Sequence, residues 1–449
     1  MRTTGTPGWW RPDASPDQPA DAAGNGRPNA RPNKGSSDES NLPFYALLLF
    51  TFILFLAPQQ IFPVLAPLRI AMLSIVLVST VHVGSRLARG LPVLHCPPGV
   101  IIALGLTAWA ICSIPLSLWP GGSLNFLTGK YFKTIIVFLL LASVINSAER
   151  LKGISWALVI MAVPLALTAI NNLLSGVTME GGQRIVGYDA PLAENPNDMA
   201  LLLNLLLPLA IGLFLGATSV LRKMILLAMV TLMVAGVIAT FSRAGFLTLA
   251  VTFVCYLFLL RRRPGRFFAP AILVIAIVAL PIMPGDYIGR LSTITDVQSD
   301  ETGSAQIRLR DSVTAVRLVL ENPFLGTGVG TNALAMNDAR GSTWTEIHNV
   351  YLTIGVELGL PGVILFLMLL IAAIKAAHAM VLQTRAQPQL YGLHCLAEGI
   401  KVSLIAFSVA AFFHPVAYHF YFYYIAGLAM ALSQISLPDT LNVAEGNRL

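Results

Sequence analysis

Charge is what this chain has least of: Asp, Glu, Lys and Arg make up 11% of its 449 residues, while 55% are hydrophobic. That balance excludes a soluble globular domain. Cysteine is nearly absent as well. Cys96, Cys112, Cys255 and Cys395 stand far apart, which excludes a disulfide framework and a zinc-ligand spacing. Strand-type alternation is missing, and with it an outer-membrane barrel. No apolar run occurs before Phe44, so no secretory leader is expected. The seven histidines are few enough that the position of each carries weight.

What is present is a series of apolar stretches near or above the roughly 18 residues a helix needs to cross a bilayer. The expected fold is therefore all-α, a polytopic transmembrane bundle of about twelve helices, because only helices satisfy every backbone group within one segment. The spans are expected near 43–59, 63–83, 99–118, 131–147, 153–173, 198–216, 222–240, 243–260, 267–284, 350–374, 399–414 and 419–436. Residues 1–42, rich in Pro, Gly, Asn and Asp, are expected to be a disordered cytoplasmic tail. Residues 43–284 then hold helices one to nine, 285–349 form a long extracytoplasmic loop, 350–437 hold helices ten to twelve, and 438–449 form a second cytoplasmic tail.

Basic residues orient such a bundle, because short cytoplasmic loops collect Lys and Arg. With the N-terminus inside, the inner loops carry Arg86 and Arg89, Arg150 and Lys152, Arg222 and Lys223, "RRRPGR" at 261–266, and Lys375 with Arg385. Lys130 and Lys133 lie near an outer loop and depart from the pattern, as do the arginines of 285–349. A long segment translocates regardless of its charge. The net charge of +7 thus needs no nucleic-acid partner.

The unusual polar chemistry gathers on the expected outer face, in "GGQRIVGYDAPLAENPNDMALLL", "TFSRAGF", "SAQIRLRDSVTAVRLVLENPFLGTGVGTN" and "TEIHN". Arg243, between two spans with almost no loop, reads either as a headgroup-seeking cation or as a phosphate ligand. Arg308 and Arg310 precede Val313, Val316, Leu318 and Leu320, a spacing that predicts an amphipathic helix lying on the membrane surface. His348 reads as an interfacial hydrogen-bonding residue or as a catalyst, and Asn349 as a helix cap or a ligand.

Together, "NPNDMALLLNLLLPLA", "FSRAGFLTLAV", an arginine ahead of "ENPFLGTGVGTN", and "HNVYLTIGVELGLPGVILFL" resemble the O-antigen ligase family, across about residues 190–375. The broader group includes O-antigen and exopolysaccharide polymerases. The resemblance implies a bacterial inner-membrane glycosyltransferase. Such an enzyme takes a glycan from a polyprenyl diphosphate and passes it, on the periplasmic side and without a metal ion or other cofactor, to an acceptor hydroxyl on a glycolipid or glycan. It places the family's two important arginines at Arg243 and Arg308 and its histidine at His348, with Arg184, Asn197, Arg310 and Asn349 as further candidates for substrate binding. Arg308 is preferred over Arg310 by its distance from Asn322 and Pro323. Ser312 stands where the family often has an aromatic residue. The chemistry suits those residue types, since a departing diphosphate needs positive charge and an acceptor hydroxyl needs a base. The expected acceptor is a lipid A core sugar, as in a ligase. A polymerase, whose acceptor is a second lipid-linked repeat unit, is the alternative. A secondary transporter is the remote one, because no internal repeat is evident and the ionisable residues gather at one edge.

The charge pattern predicts that a reporter active only in the periplasm is active when fused near Gly303 and silent when fused near Gly265. The reverse pattern in a fusion assay would invert the bundle.

Overall fold

The computed structural model describes residues 40–179, 184–261, 304–341 and 344–437. The helices are α1 (Leu42–Leu56), the single turn α2 (Pro58–Ile61), α3 (Ile70–Leu87), α4 (Pro98–Ser113), α5 (Pro120–Phe126), α6 (Phe132–Val144), α7 (Ala148–Leu174), α8 (Pro196–Gly216), α9 (Val220–Ala239), α10 (Arg243–Leu260), α11 (Ser304–Glu321), α12 (Asn332–Arg340), α13 (Val350–Thr384), α14 (Tyr391–Ala410) and α15 (Phe420–Leu432). Among the described residues, nine helical segments are long and apolar enough to cross a membrane, and α1 and α15 are shorter apolar helices. The chain is a multi-pass membrane protein. The expected span at 267–284, residues 1–39 of the expected N-terminal tail, the C-terminal tail 438–449 and the first part of the long loop, 285–303, lie outside the described residues, and Leu42, expected in the tail, already begins α1.

Several boundaries differ from those expected, each for a local reason. Pro63 and Pro67 turn the start of the second span into a 3₁₀ segment, Pro63–Leu68, and regular helix begins only at Ile70. The fourth span begins earlier than 131, because α5 runs through a π-helical turn, Leu127–Tyr131, straight into α6. Lys130 is therefore part of a helix, in a one-residue bulge of the kind often found at functional sites. The long loop contains the helix α12 as well as α11.

The core is built on two helices that have no lipid-facing side. Met199 through Ala210 of α8 and Tyr421 through Leu432 of α15 are buried at every position. Glycine permits the closest approach, between α8 and α14: a Cβ on Gly399 would sit 2.5 Å from the Pro208 carbonyl oxygen. Ser403 Oγ donates to the Leu205 carbonyl at 2.7 Å and Asn204 Nδ2 to the Gly245 carbonyl at 3.0 Å, tying α14 and α10 to α8. By contrast, α3 and α9 leave Met72, Leu73, Leu221 and Met224 exposed, as helices on the lipid boundary do.

α11 has three faces. Asp311, Ala315 and Leu318 are buried, packed toward α12 and α13, and Arg340 of α12 pairs with Asp311. Leu309, Val313, Val316 and Leu320 form an exposed apolar stripe, while Arg310, Thr314, Arg317 and Glu321 form a polar one. The amphipathic expectation holds for Val313, Val316 and Leu320; Leu318 instead faces the protein.

The most consequential irregularity lies in α13. Gly359 has φ 67° and ψ −171°, a region open almost only to glycine. Pro361, two residues on, has no N–H for the Glu357 carbonyl. The carbonyls freed by this break are taken by the loop "GTGVGTN". Thr327 N donates to Val356 O at 2.7 Å and Gly328 N to Glu357 O at 2.9 Å, while Trp109 Nε1 donates to Leu358 O at 2.8 Å and Leu360 N to Pro323 O at 2.7 Å. Gly326 (φ 66°) lies so close that a Cβ would collide with the Glu357 carbonyl. Gly326→Ala is expected to destabilise the protein by about 1–3 kcal/mol, read as a lower thermal midpoint in detergent. Gly84→Ala, in a helix with open space around it, serves as the control that leaves the midpoint unchanged.

Candidate active site

The N-termini of α6, α8, α10, α13 and α15 and the C-terminus of α14 meet at one end of the bundle. His414 Nε2 lies 3.3 Å from Asn197 O, Val350 N donates to Ala411 O at 2.8 Å, and Thr134 Oγ1 donates to Tyr418 O at 3.0 Å.

His348 lies in the short segment before α13, and a relay of hydrogen bonds begins within the membrane helix to fix it. The buried Glu357 carboxylate accepts from Asn332 Nδ2 at 2.7 Å and from Asn332 N at 3.0 Å. Asn332 Oδ1 in turn accepts from Ile347 N at 3.2 Å. Thr353 Oγ1 donates to Ile347 O at 3.1 Å, and Asn349 caps α13 by accepting from Leu352 N at 3.1 Å. The His348 ring is then oriented by its own Nδ1, 2.9 Å from the Glu346 carbonyl. A carbonyl only accepts, so Nδ1 carries the proton and Nε2 of the neutral ring carries the lone pair. Burial, then the Arg308 guanidinium and to a smaller extent Arg184, hold His348 below the ordinary imidazole value, against the pull of the Glu346 carbonyl.

The structure thus brings Arg308, Arg184 and His348 within electrostatic reach of one another. Arg184 sits in the loop after α7, where Met179 N donates to its carbonyl at 2.8 Å. Arg243 begins α10 and is partly buried. Its neighbour Ser242 caps the helix through Gly245 N at 3.1 Å and donates to Asn197 Oδ1 at 2.8 Å. Phe241, just before it, has φ 53°, which lets the chain reverse from α9 into α10 with almost no loop. Arg243 is connected to the histidines through this Ser242–Asn197–His414 path. Arg310 is exposed, about 200° around α11 from Arg308, and lies on the polar stripe away from His348. Asn349 serves as a cap, and Asn197 joins α8 to α10.

Two other histidines are close by. His414 is buried, with Nδ1 2.9 Å from Ala410 O and Nε2 3.3 Å from Asn197 O, so both nitrogens face carbonyls. Burial drives it down to about 4, with the two carbonyls opposing and Arg308 and His348 adding to the fall. His419 is pushed down to about 3, first by burial and then by Lys130. Among the described residues, no group of three His, Cys, Asp or Glu side chains is arranged to hold a metal ion.

Residues 228–367 match the family described as O-antigen ligase. This stretch of the chain is similar to that family's domain. The match contains Arg243, Arg308, His348 and the whole Glu357–Asn332 relay, whereas Arg184, Asn197, Lys130, His414 and His419 fall outside it. No curated protein matches the chain. The domain implies a glycosyltransferase-type enzyme working on lipid-linked glycans in a membrane setting.

The sequence reading missed the Glu357–Asn332 relay, although one signal was available: Glu357 is a lone carboxylate in a long apolar run, and such residues are costly unless they have a task. Asn332→Ala is expected to cost about 1–3 kcal/mol by leaving Glu357 unsatisfied and, by loosening His348, to lower transfer by roughly 100-fold. Glu357→Gln keeps an acceptor oxygen and should retain more of both. Thermal unfolding and transfer rates on the same preparations check this; normal transfer by folded Asn332→Ala would remove the positioning role.

Proposed function

We propose that this protein is an O-antigen ligase. It takes a glycan from a polyprenyl diphosphate and transfers it, on the periplasmic face of the bacterial inner membrane, to a hydroxyl of a lipid A core acceptor. The observation that carries the reading is the state of His348: its proton is fixed on Nδ1 by a backbone carbonyl, and its Nε2 lone pair is left for a substrate, beside Arg308 and Arg184.

In the reaction, Nε2 accepts the proton of the acceptor hydroxyl as that oxygen bonds to the anomeric carbon. The bond from the anomeric carbon to the diphosphate oxygen breaks, and its electron pair leaves with the diphosphate. Arg308 and Arg243 receive the growing negative charge, for which planar guanidinium groups are well shaped. Two such groups supply the charge that a divalent ion otherwise supplies, so the transfer is proposed to be metal-independent. Burial, with Arg308 and Arg184, disfavours a positive charge on His348 and favours the neutral ring that can accept a proton. His414 is unsuited to the role, because neither ring nitrogen faces a space a substrate can enter.

His348→Ala is expected to lower turnover by roughly 100- to 10,000-fold with donor binding nearly unchanged. His414→Ala and His419→Ala, normalised to folded protein, should retain more activity. Protonation removes the lone pair, so wild-type activity should fall as pH drops through the depressed pKa of His348 and stay level above it. Near-normal turnover by His348→Ala, with collapse in either comparator, would overturn the assignment. Running the assay with a lipid A core acceptor and separately with a second lipid-linked glycan decides ligase against polymerase.

A further inference from the structure

Around Glu346, two residues before His348, lies a second group of ionisable side chains within electrostatic reach of one another: Lys130 in the π-helical turn, Asp198 in the first turn of α8, Glu346, and His419 before α15. Lys130, Glu346 and His419 line a cavity of about 20 Å³, together with Phe126 and Tyr418. That space holds one water-sized group. The charges of Glu346 and Asp198 reach Lys130, yet neither carboxylate comes within ion-pairing distance. The Lys130 ammonium rests 5.4 Å from the centre of the Phe126 ring. Among the described residues, none of the four ionisable side chains makes a hydrogen bond or an ion pair. A second kind of observation points the same way. Tyr418, another residue of the lining, is 3% exposed, and its hydroxyl faces the Glu357 carboxylate, which joins the cavity wall to the Glu357–Asn332 relay. Lys130 and His419 are half-buried and Glu346 is exposed, so the cavity opens outward with donors and acceptors that the protein itself leaves to a ligand.

The chemistry of the wall identifies the ligand. An ammonium donates, a carboxylate accepts, a histidine does one of each, and a ring offers an apolar face. A sugar needs this mixture, because each hydroxyl donates and accepts while its C–H face packs on an aromatic ring. A diphosphate does not suit it, because Asp198 and Glu346 would repel the anion. The two charged territories therefore divide the substrates between them. Arg308 and Arg184 act on His348, while Glu346, whose carbonyl holds the ring, also lines the cavity.

We propose that this cavity is the acceptor subsite, where a hydroxyl-bearing arm of the acceptor sugar is held by Lys130, Glu346 and His419 so that its neighbouring hydroxyl reaches Nε2 of His348. The assignment rests on the glycosyltransferase reading above, and binding measurements separate the two. Full-length protein in lipid nanodiscs is titrated with lipid A core glycolipid in the absence of donor. Lys130→Gln and Glu346→Gln are each expected to weaken binding at least tenfold, with thermal midpoints unchanged, whereas His348→Ala binds as the wild type does. Glu346→Gln keeps the backbone carbonyl that orients His348, so its pH profile should match that of the wild type. In transfer assays both variants should raise the KM for acceptor and leave the KM for donor unaltered. Unchanged acceptor binding in both variants, or no binding by the wild type, overturns the subsite whatever His348→Ala does to turnover. Weakened binding alongside normal turnover of His348→Ala preserves the subsite and removes the base.

Discussion

The break in α13 at Gly359 organises this end of the molecule. A membrane helix ordinarily keeps its carbonyls to itself, since nothing in hydrocarbon can replace their partners. Here Gly359 and Pro361 release Val356, Glu357 and Leu358 from that duty, and the loop from Pro323 to Asn332, with Trp109, takes up the bonds. A loop is thereby anchored against a transmembrane helix with the regularity of a secondary-structure element. Asn332, at the end of that loop, then reaches both Glu357 and the backbone beside His348. The position of the histidine is thus inherited from the core.

This arrangement explains why a carboxylate is tolerated in so apolar a helix. Glu357 Oε1 accepts two hydrogen bonds from one asparagine, and removing those partners would leave a desolvated acceptor. Burial, which would be a liability for a charged group acting alone, here makes the relay stiff: neither Asn332 nor Ile347 can shift without stranding it.

The run of apolar segments was legible in the sequence because hydropathy and length report directly on the bilayer, and the spans at 153–173, 198–216, 222–240 and 243–260 have helical counterparts within a few residues. The stretch "PGGSLNFLTGK" was not. Its glycines and polar residues read as loop, yet tertiary contacts make it helical, including Leu118 N to Thr327 O at 2.9 Å beside it and the Phe126 ring against Tyr418. The separation of Arg308 from Arg310 follows from helical geometry once α11 is placed, since two residues apart means opposite faces. The neighbourhood of Lys130, Asp198, Glu346 and His419 had no sequence signal at all. These residues come from four elements spread over nearly 300 positions and share no spacing.

The three faces of α11 carry a consequence for what the enzyme can tell apart. The buried face fixes the helix to the protein, and the stripe of Leu309, Val313, Val316 and Leu320 suits the boundary between lipid and water. With that stripe placed at the boundary, Arg308 would sit at a depth measured from the membrane surface. On the proposed reading, a guanidinium held at that depth meets the part of the donor whose own depth the lipid dictates, the diphosphate, whatever sugars extend beyond it into the water. Such an enzyme would gauge its donor by altitude, and be indifferent to the length and composition of the glycan it moves.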